Sequence, residues 1–466
     1  MTDTTDVYKT MNLALRIGEL LLSSGAGASD VGAQMDNVGR ACGLRKFTAD
    51  VTFTQLAMSH QAAPDEPALI QLRQVRRRET DYEDLTLVDH LVRDLVAGRI
   101  DRDDALARLN RIVSTGHARP RWAVTLGFGA LGAGVGMVLG GNAIMVTIAF
   151  VAACLVDRVQ REMGKARWPA FYQQAAGGLI ATLLAAGVAK TGLDIAPGRV
   201  ITAGIILLLA GVSFLGAIQD ALTGFPLTSA ARILEAVIAT AGAIAGVSAG
   251  LTVARVVGAP IGTAASGTSG YAGLPVMAAG AAIAASAYAY ASYAPLRSLV
   301  PIGGIAAIAI AVYFVVNDRG FGAAFASAIA AVVIGLISFT ASGRFRVPAL
   351  VVVTCTLVPL LPGLAIYRGL ATIGQDAAAG LVSLFTAGTV AIALSSGAIL
   401  GEYVAQPLKR EARRLETRLA GPRLVGPLTV RQVQRPRGRP ETGPQPQGWT
   451  STRFYRGRIQ PWRRRD

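Results

Sequence analysis

Long apolar windows dominate the chain from residue 122 onwards. Stretches of about 20 mostly apolar residues, the length a helix needs to cross a bilayer, recur near 122–141, 142–157, 171–189, 200–219, 233–254, 271–293, 299–316, 320–341, 347–367 and 378–403. Before residue 122 the pattern is that of a soluble fold. DVYKTMNLALRIGELLLSSG sets Met11, Leu15, Ile17, Leu21 and Leu22 on one broad stripe, predicting a helix that ends at Gly25. SDVGAQMDNVGRACG predicts a second helix with Ser29 or Asp30 as N-cap. KFTADVTFTQLAMSH alternates Val51 and Phe53 with Thr52 and Thr54, which predicts a strand. QAAPDEP reads as a turn and ALIQLRQVRRR as a second strand. TLVDHLVRDLVAG and DRDDALARLNRIVS follow as amphipathic helices. The predicted fold is an all-α polytopic membrane protein of about 10 transmembrane helices, preceded by a soluble α+β domain.

Composition agrees with that division. Of 466 residues, 52% are hydrophobic and 16% charged, with 53 glycines, against about 25% charged in an ordinary soluble domain. Residues 1–121 hold 16 basic and 17 acidic residues, 122–404 hold 13 and 8, and 405–466 hold 16 and 4. The net charge of +16 therefore sits mostly in the tail. The predicted domains are 1–121, a cytoplasmic α+β domain; 122–258 and 259–404, two membrane modules of about five helices each; and 405–466, a basic disordered tail. Arg, Pro, Gly and Gln dominate the tail (RPRGRPETGPQPQGW), and PLKREARRLETRLAG before it predicts a short helix leaving the membrane. Its charge suits anionic lipid. No aromatic spacing suits base stacking, so no nucleic-acid partner is expected.

The basic residues also set an orientation. With the N-terminus inside, Arg158, Arg161, Lys165, Arg167, Arg232, Arg297, Arg344 and Arg346 face the cytoplasm, and Lys190, Arg199, Arg255, Arg319 and Arg368 face outwards. Both termini are then cytoplasmic. The N-terminal MTDTTDVYKT lacks the basic-then-apolar pattern of a signal peptide.

One expected span is interrupted. VPLLPGLAIYRG places Pro359, Pro362 and Gly363 within an apolar run. Proline removes a backbone donor and clashes with the preceding turn, and unsatisfied backbone groups in hydrocarbon cost several kcal/mol. A protein-lined cavity would let those groups face a solute; a kink healed by neighbouring helices is the plainer alternative. An offset of 147 residues lays Arg199 on Arg346, Val200 on Val347 and Gly216 on Gly363. Two five-span halves are necessarily inverted relative to one another, and inverted repeats with interrupted helices mark transporters. The first-half counterpart, GVSFLGAIQDALTGFPLTSAARILEA, carries Gly211, Gly216, Gln219, Asp220, Thr223, Arg232 and Glu235. Arg232 and Glu235, three residues apart, can pair on one helix face as a structural anchor.

LLSSGAGASDVGAQMDNVGRACGL with DVTFTQLAMSH resembles the cytoplasmic start of the threonine/serine exporter family, and DALTGFPLTSAARILEA and VPLLPGLAIYRG resemble its two membrane modules. Some relatives carry the modules on separate chains; here they are fused. The likeness spans roughly residues 10–404. It implies export of L-threonine and L-serine across the plasma membrane, driven by the proton motive force. Dicarboxylate exporters of the succinate type resemble the same family, and a gated channel with a cytoplasmic sensing domain is a further alternative.

For an amino-acid substrate, Gln219, Thr223, Arg232, Pro359, Pro362, Gly363, Tyr367 and Arg368 are the candidate contacts, with Gln173 and Gln174 as further neutral partners. Proton coupling needs a carboxyl whose burial brings its pKa near the working pH. Asp220, Glu235 and Glu402 are the candidates. The N-terminal region adds Ser23, Ser24, Asp30, Asp50, Thr52, Thr54 and Ser59, which caps and strand faces also explain. Ser59, His60, Asp89 and His90 form no GxSxG or triad pattern, so no enzyme is expected. Cys42, Cys154 and Cys355 give no CxxC, and no HExxH or Walker motif occurs. No metal or cofactor is expected. GFGALG is better read as small-residue helix packing through Gly132 and Gly136 than as a nucleotide loop. Oligomeric state is left open.

Overall fold

The structure is a computed structural model. It describes residues 4–76, 78–117, 119–191, 197–205, 211–259, 270–373 and 376–419. The chain divides into two compact units, residues 1–413 and 414–466. Most of the basic tail, from residue 420, lies outside the described residues.

The first unit opens with α1 (Thr4–Ser23), whose Met11, Leu15, Ile17, Leu21 and Leu22 are all buried, as the stripe predicts. Gly25, at φ 100°, turns the chain, and the Ala26 amide returns to the Leu21 carbonyl at 3.0 Å. Helix α2 (Ala28–Ala41) starts earlier than expected: its N-cap is Gly27, not Ser29 or Asp30, and no local side chain caps it.

The predicted first strand is two strands. β1 (Phe47–Thr52) and β2 (Gln55–His60) pair antiparallel with Thr52 opposite Gln55, so Phe53 and Thr54 form a two-residue turn. Phe53 sits at φ 49°, in the left-handed region such turns require. The Val–Thr–Phe–Thr alternation runs straight through that turn and hides it. β3 (Leu69–Gln74) completes the meander β1-β2-β3. Asp81 caps α3 (Tyr82–Val96) through the Glu83 and Asp84 amides, and Asp101 caps α4 (Arg102–Thr115) through the Asp104 amide. Met11, Ile17, Leu22, Met35, Leu56, Met58 and Leu109 form the core between sheet and helices.

Then come α5 (Arg121–Val138), α6 (Ala143–Lys165) and α7 (Ala170–Ala189), followed by the short α8 (Pro197–Ile205) and α9 (Gly211–Leu222), and the long α10 (Pro226–Val256). The remainder is α11 (Leu274–Ala291), α12 (Leu299–Val316), α13 (Ala323–Phe345), α14 (Ala349–Leu357), α15 (Gly363–Ile373) and α16 (Ala377–Leu419). Eight of the described helices, α5, α6, α7, α10, α11, α12, α13 and α16, are long and apolar enough to cross a membrane. A ninth candidate span is the bent pair α14–α15. Helices α8 and α9 cover the two ends of the window expected at 200–219, and residues 206–210 lie outside the described residues. The short helix expected after residue 405 is the continuation of α16, one helix of 43 residues.

Glycine sets the helix spacing. A Cβ at Gly246 would lie 1.9 Å from the Ala175 carbonyl, and one at Gly242 2.3 Å from that of Phe171, so α7 and α10 touch backbone to backbone. A Cβ at Gly132 would likewise lie 2.7 Å from the Ala149 carbonyl of α6.

The N-terminal domain is seated on one end of this bundle. The Tyr82 amide donates to the Ser292 carbonyl at 3.0 Å, and Arg119 donates to the Tyr290 carbonyl at 2.6 Å. His90 Nε2 lies 3.0 Å from the Arg346 carbonyl oxygen. That oxygen only accepts, so His90 carries its proton on Nε2.

Candidate functional site

Helix α9 ends where the domain meets the bundle. Gly224, at φ 95°, reverses the chain, the Phe225 amide closes on the Asp220 carbonyl at 2.8 Å, and Pro226 opens α10 in its first turn. This hairpin brings Asp220, in the last turn of α9, against Arg232, two turns into α10. Arg232 Nη1 donates to Asp220 Oδ2 at 2.5 Å. The other oxygen, Oδ1, accepts the Ala28 amide at 2.8 Å. Asp220 is 1% exposed and Arg232 8%. A carboxylate so buried requires compensation, supplied here by a guanidinium and by the positive N-terminus of α2. That is why α2 has no local cap: its first free amide is satisfied from a membrane helix. Arg232 lies over Gly216, where a Cβ would meet both Nη atoms at 3.3 Å.

The tip of the β1–β2 hairpin docks beside this pair. The Phe53 amide donates to Thr228 Oγ1 at 3.0 Å. Arg78 stacks over the Phe53 ring at 4.5 Å and donates to the Phe53 carbonyl. Glu235 faces Arg78 at 3.9 Å and is 59% exposed. The expected Arg232–Glu235 anchor is therefore replaced by two pairs: Arg232 turns inwards to Asp220, and Glu235 turns outwards to Arg78. Glu235 belongs to the rim, not to the buried group.

Asp30, in the first turn of α2, has an exposed side chain with much protein around it. Crowding by protein, with the charges of Asp220 and Asp89, pushes its carboxyl above the ordinary range. Half-buried Glu402 lies within electrostatic reach of Asp30. Asp30 is the residue that sequence reasoning left as a cap; only the fold brings it to Asp220.

Deeper in the bundle, α14 ends at Leu357, Val358–Leu360 makes one turn of 3-10 helix, and α15 restarts at Gly363 with a 44° bend. The interruption at Pro359, Pro362 and Gly363 is thus real. Part of the freed backbone is satisfied locally, by the Leu361 amide on Val358 at 3.2 Å and the Gly363 amide on Leu361 at 2.8 Å. Tyr367, one turn into α15, is 1% exposed among Met145, Ile201 and Val247. Its hydroxyl makes no hydrogen bond among the described residues. A buried hydroxyl without a partner costs about 1–3 kcal/mol.

The other candidates are placed less favourably. Thr223 donates to the Gln219 carbonyl at 2.9 Å and so serves the helix end. Gln219 and Arg368 are half-buried. Gln173 donates to the Trp168 carbonyl at 2.7 Å, and Gln174 accepts from Gln160 at 3.4 Å. Asp89 pairs with Arg93 at 2.7 Å, so Asp89 and His90 hold structure and do not serve Ser59.

A bent membrane helix with an unsatisfied hydroxyl, and an ion pair buried where the N-terminal helices and sheet cover the bundle, are features of a multi-pass membrane transporter. Comparison with known proteins narrows the class. Residues 12–254 match the family model described as "Putative threonine/serine exporter", and residues 277–404 match "Threonine/Serine exporter, ThrE". A "Probable threonine/serine exporter" of Mycobacterium tuberculosis (strain ATCC 25618 / H37Rv) is 35% identical over 96% of this chain and 87% of its own. A "Threonine/serine exporter" of Corynebacterium glutamicum is 31% identical over 89% of this chain and 86% of its own. No solved structure matches. The chain belongs to the threonine/serine exporter family, a family of transporters and not of enzymes.

Proposed function

We propose that this chain exports L-threonine and L-serine across the plasma membrane by alternating access, drawing on the proton motive force. The observation that carries this reading is the buried Asp220–Arg232 pair, closed over by the N-terminus of α2. Arg232 is placed to exchange Asp220 for the carboxylate of an amino acid. Asp220, released, takes up a proton, with Asp30 and Glu402 as neighbouring acids. The Tyr367 hydroxyl offers a hydrogen bond deeper along the path. Backbone freed at Pro359, Pro362 and Gly363 supplies further donors and acceptors.

Ten crossings in two inverted halves fit the helix ends. Arg199, at the start of α8, donates to the Gly140 carbonyl between α5 and α6, whereas α9 ends beneath the soluble domain at Asp220. The pair α8–α9 thus answers to α14–α15 at the 147-residue offset. Arg119, Arg232, Arg297 and Arg346 lie at the end that the domain covers, which by the positive-inside rule makes that end cytoplasmic. The basic tail then meets anionic headgroups.

Purified protein in liposomes, followed with labelled L-threonine with and without an imposed pH gradient, tests this. Accumulation above equilibrium, competed by serine and not by succinate, is expected. Equilibration without accumulation would make the chain a channel or an uncoupled carrier. Succinate flux without threonine flux would move it to dicarboxylates.

A further inference from the structure

A groove with charged walls lies in the N-terminal region, away from the Asp220–Arg232 pair. It is a groove of about 370 Å³ between α3 and α4. Its walls carry opposite charges. Asp84 and Asp94 come from α3, and Arg108 and Arg111 from α4, over a floor that includes Leu87 and Ile112. Capping geometry places Asp84: with Asp81 as N-cap, the first turn of α3 points its acids at the groove.

The charges are only partly matched. Arg108 reaches Asp94 at 3.3 Å, and Arg99 also binds Asp94, at 2.6 Å. Asp84 and Arg111 have no ion-pair partner among the described residues, although both line this one groove. Burial and the nearby Asp81 charge push the Asp84 carboxyl up to about 6. An unpaired carboxylate and an unpaired guanidinium that face one space, but do not reach each other, are complementary to a ligand bearing both charges. The small apolar floor suits a short side chain.

The groove is also wired to the membrane helices. His90 is part of its wall, and its Nε2–H bonds the Arg346 carbonyl, which Arg297 also bonds at 2.9 Å. Glu83, another wall residue, meets His117 at 3.4 Å, and the His117 ring stacks on Tyr293 at 3.9 Å between centroids. Tyr293 and Arg346 are the left-handed residues at the ends of α11 and α13, with φ 62° and 52°. A ligand that pulls on α3 therefore bears on two membrane turns.

We propose that this groove is a regulatory site for a free, short-chain α-amino acid, its ammonium on Asp84 and its carboxylate on Arg111 and Arg108. The identity of the ligand rests on the transport reading above; the zwitterionic chemistry does not. The test is equilibrium binding of labelled L-threonine to the full chain in nanodiscs, read as sites per chain. Wild type is expected to show two sites. Arg111→Gln and Asp84→Asn should each weaken one of them at least tenfold, and Leu87→Trp, which fills the groove without touching a charge, should do the same. Arg232→Gln should remove the other site instead. 2-Hydroxybutyrate, which lacks the ammonium, should not compete at the groove. A single site lost only in Arg232→Gln would overturn the groove proposal and leave the transport reading standing. A groove site that persists in a protein without threonine flux would do the reverse.

Discussion

Two segments of the membrane region, α9–α10 and α14–α15, handle buried polar groups differently. Around α9 and α10 the buried polar groups have partners: Asp220 has Arg232 and the Ala28 amide, and Thr228 has the Phe53 amide. At α14–α15 the bend is made by proline, and the buried Tyr367 hydroxyl has no partner among the described residues. The first arrangement is a closed lock, held partly by a domain outside the bundle. The second leaves a group waiting for something to bind. Matching makes the first site sensitive to deletion, and the lack of it makes the second tolerant.

The largest effect separating them should come from Arg232→Gln. It strands Asp220 in a buried site, and removing one partner of such a pair costs about 3–5 kcal/mol. Thermal unfolding in nanodiscs should show that loss together with loss of export. The double variant Asp220→Asn with Arg232→Gln should regain much of the stability and none of the transport. A single variant as stable as wild type would break the comparison.

Thr228→Val comes next. It removes the acceptor for the Phe53 amide, worth about 1–2 kcal/mol of docking, so hydrogen exchange at Phe53 should accelerate. Unchanged exchange would mean that the hairpin tip is held by Arg78 alone.

Tyr367→Phe should cost no stability and gain about 1–3 kcal/mol, because an unsatisfied hydroxyl leaves the core. The KM for threonine should nonetheless rise severalfold. Marked destabilisation would show that the hydroxyl already had a partner.

The smallest effect concerns Asp84, far from both segments. Its carboxyl lies at about 6 in the folded chain against 3.8 for the free group. A raised carboxyl binds its proton more tightly when folded, so stability falls as pH rises from about 4 to about 6. Asp84 is half-exposed, which keeps the change small. Asp84→Asn should flatten that slope in a pH series of unfolding midpoints.

These contrasts also mark what the sequence could disclose. The bend at Pro359–Gly363 was legible because proline acts on its own backbone. The stripe of α1 was legible because helical periodicity is local. The Arg232–Glu235 pairing failed because spacing says which residues can meet, not which way the helix turns in its surroundings. The cap of α2 failed for a related reason: its acceptor lies 192 residues away. The hairpin at Phe53 was hidden because its turn keeps the alternation of a strand. Of the candidate site, Asp220 and Arg232 were visible as costly charges beside an apolar run, whereas Asp30 looked like an ordinary first-turn acid.

The borrowed cap has a consequence for biosynthesis. Ala28 leaves the ribosome 192 residues before the carboxylate that satisfies it. At roughly 5–20 residues per second, that interval is about 10–40 s. During the second half of that interval the N-terminal region is complete in length but unfinished at the start of α2. Its final form waits for α9 to be inserted and for α10 to deliver Arg232. The domain that is made first is among the last parts to be completed, so insertion of the membrane helices times its maturation.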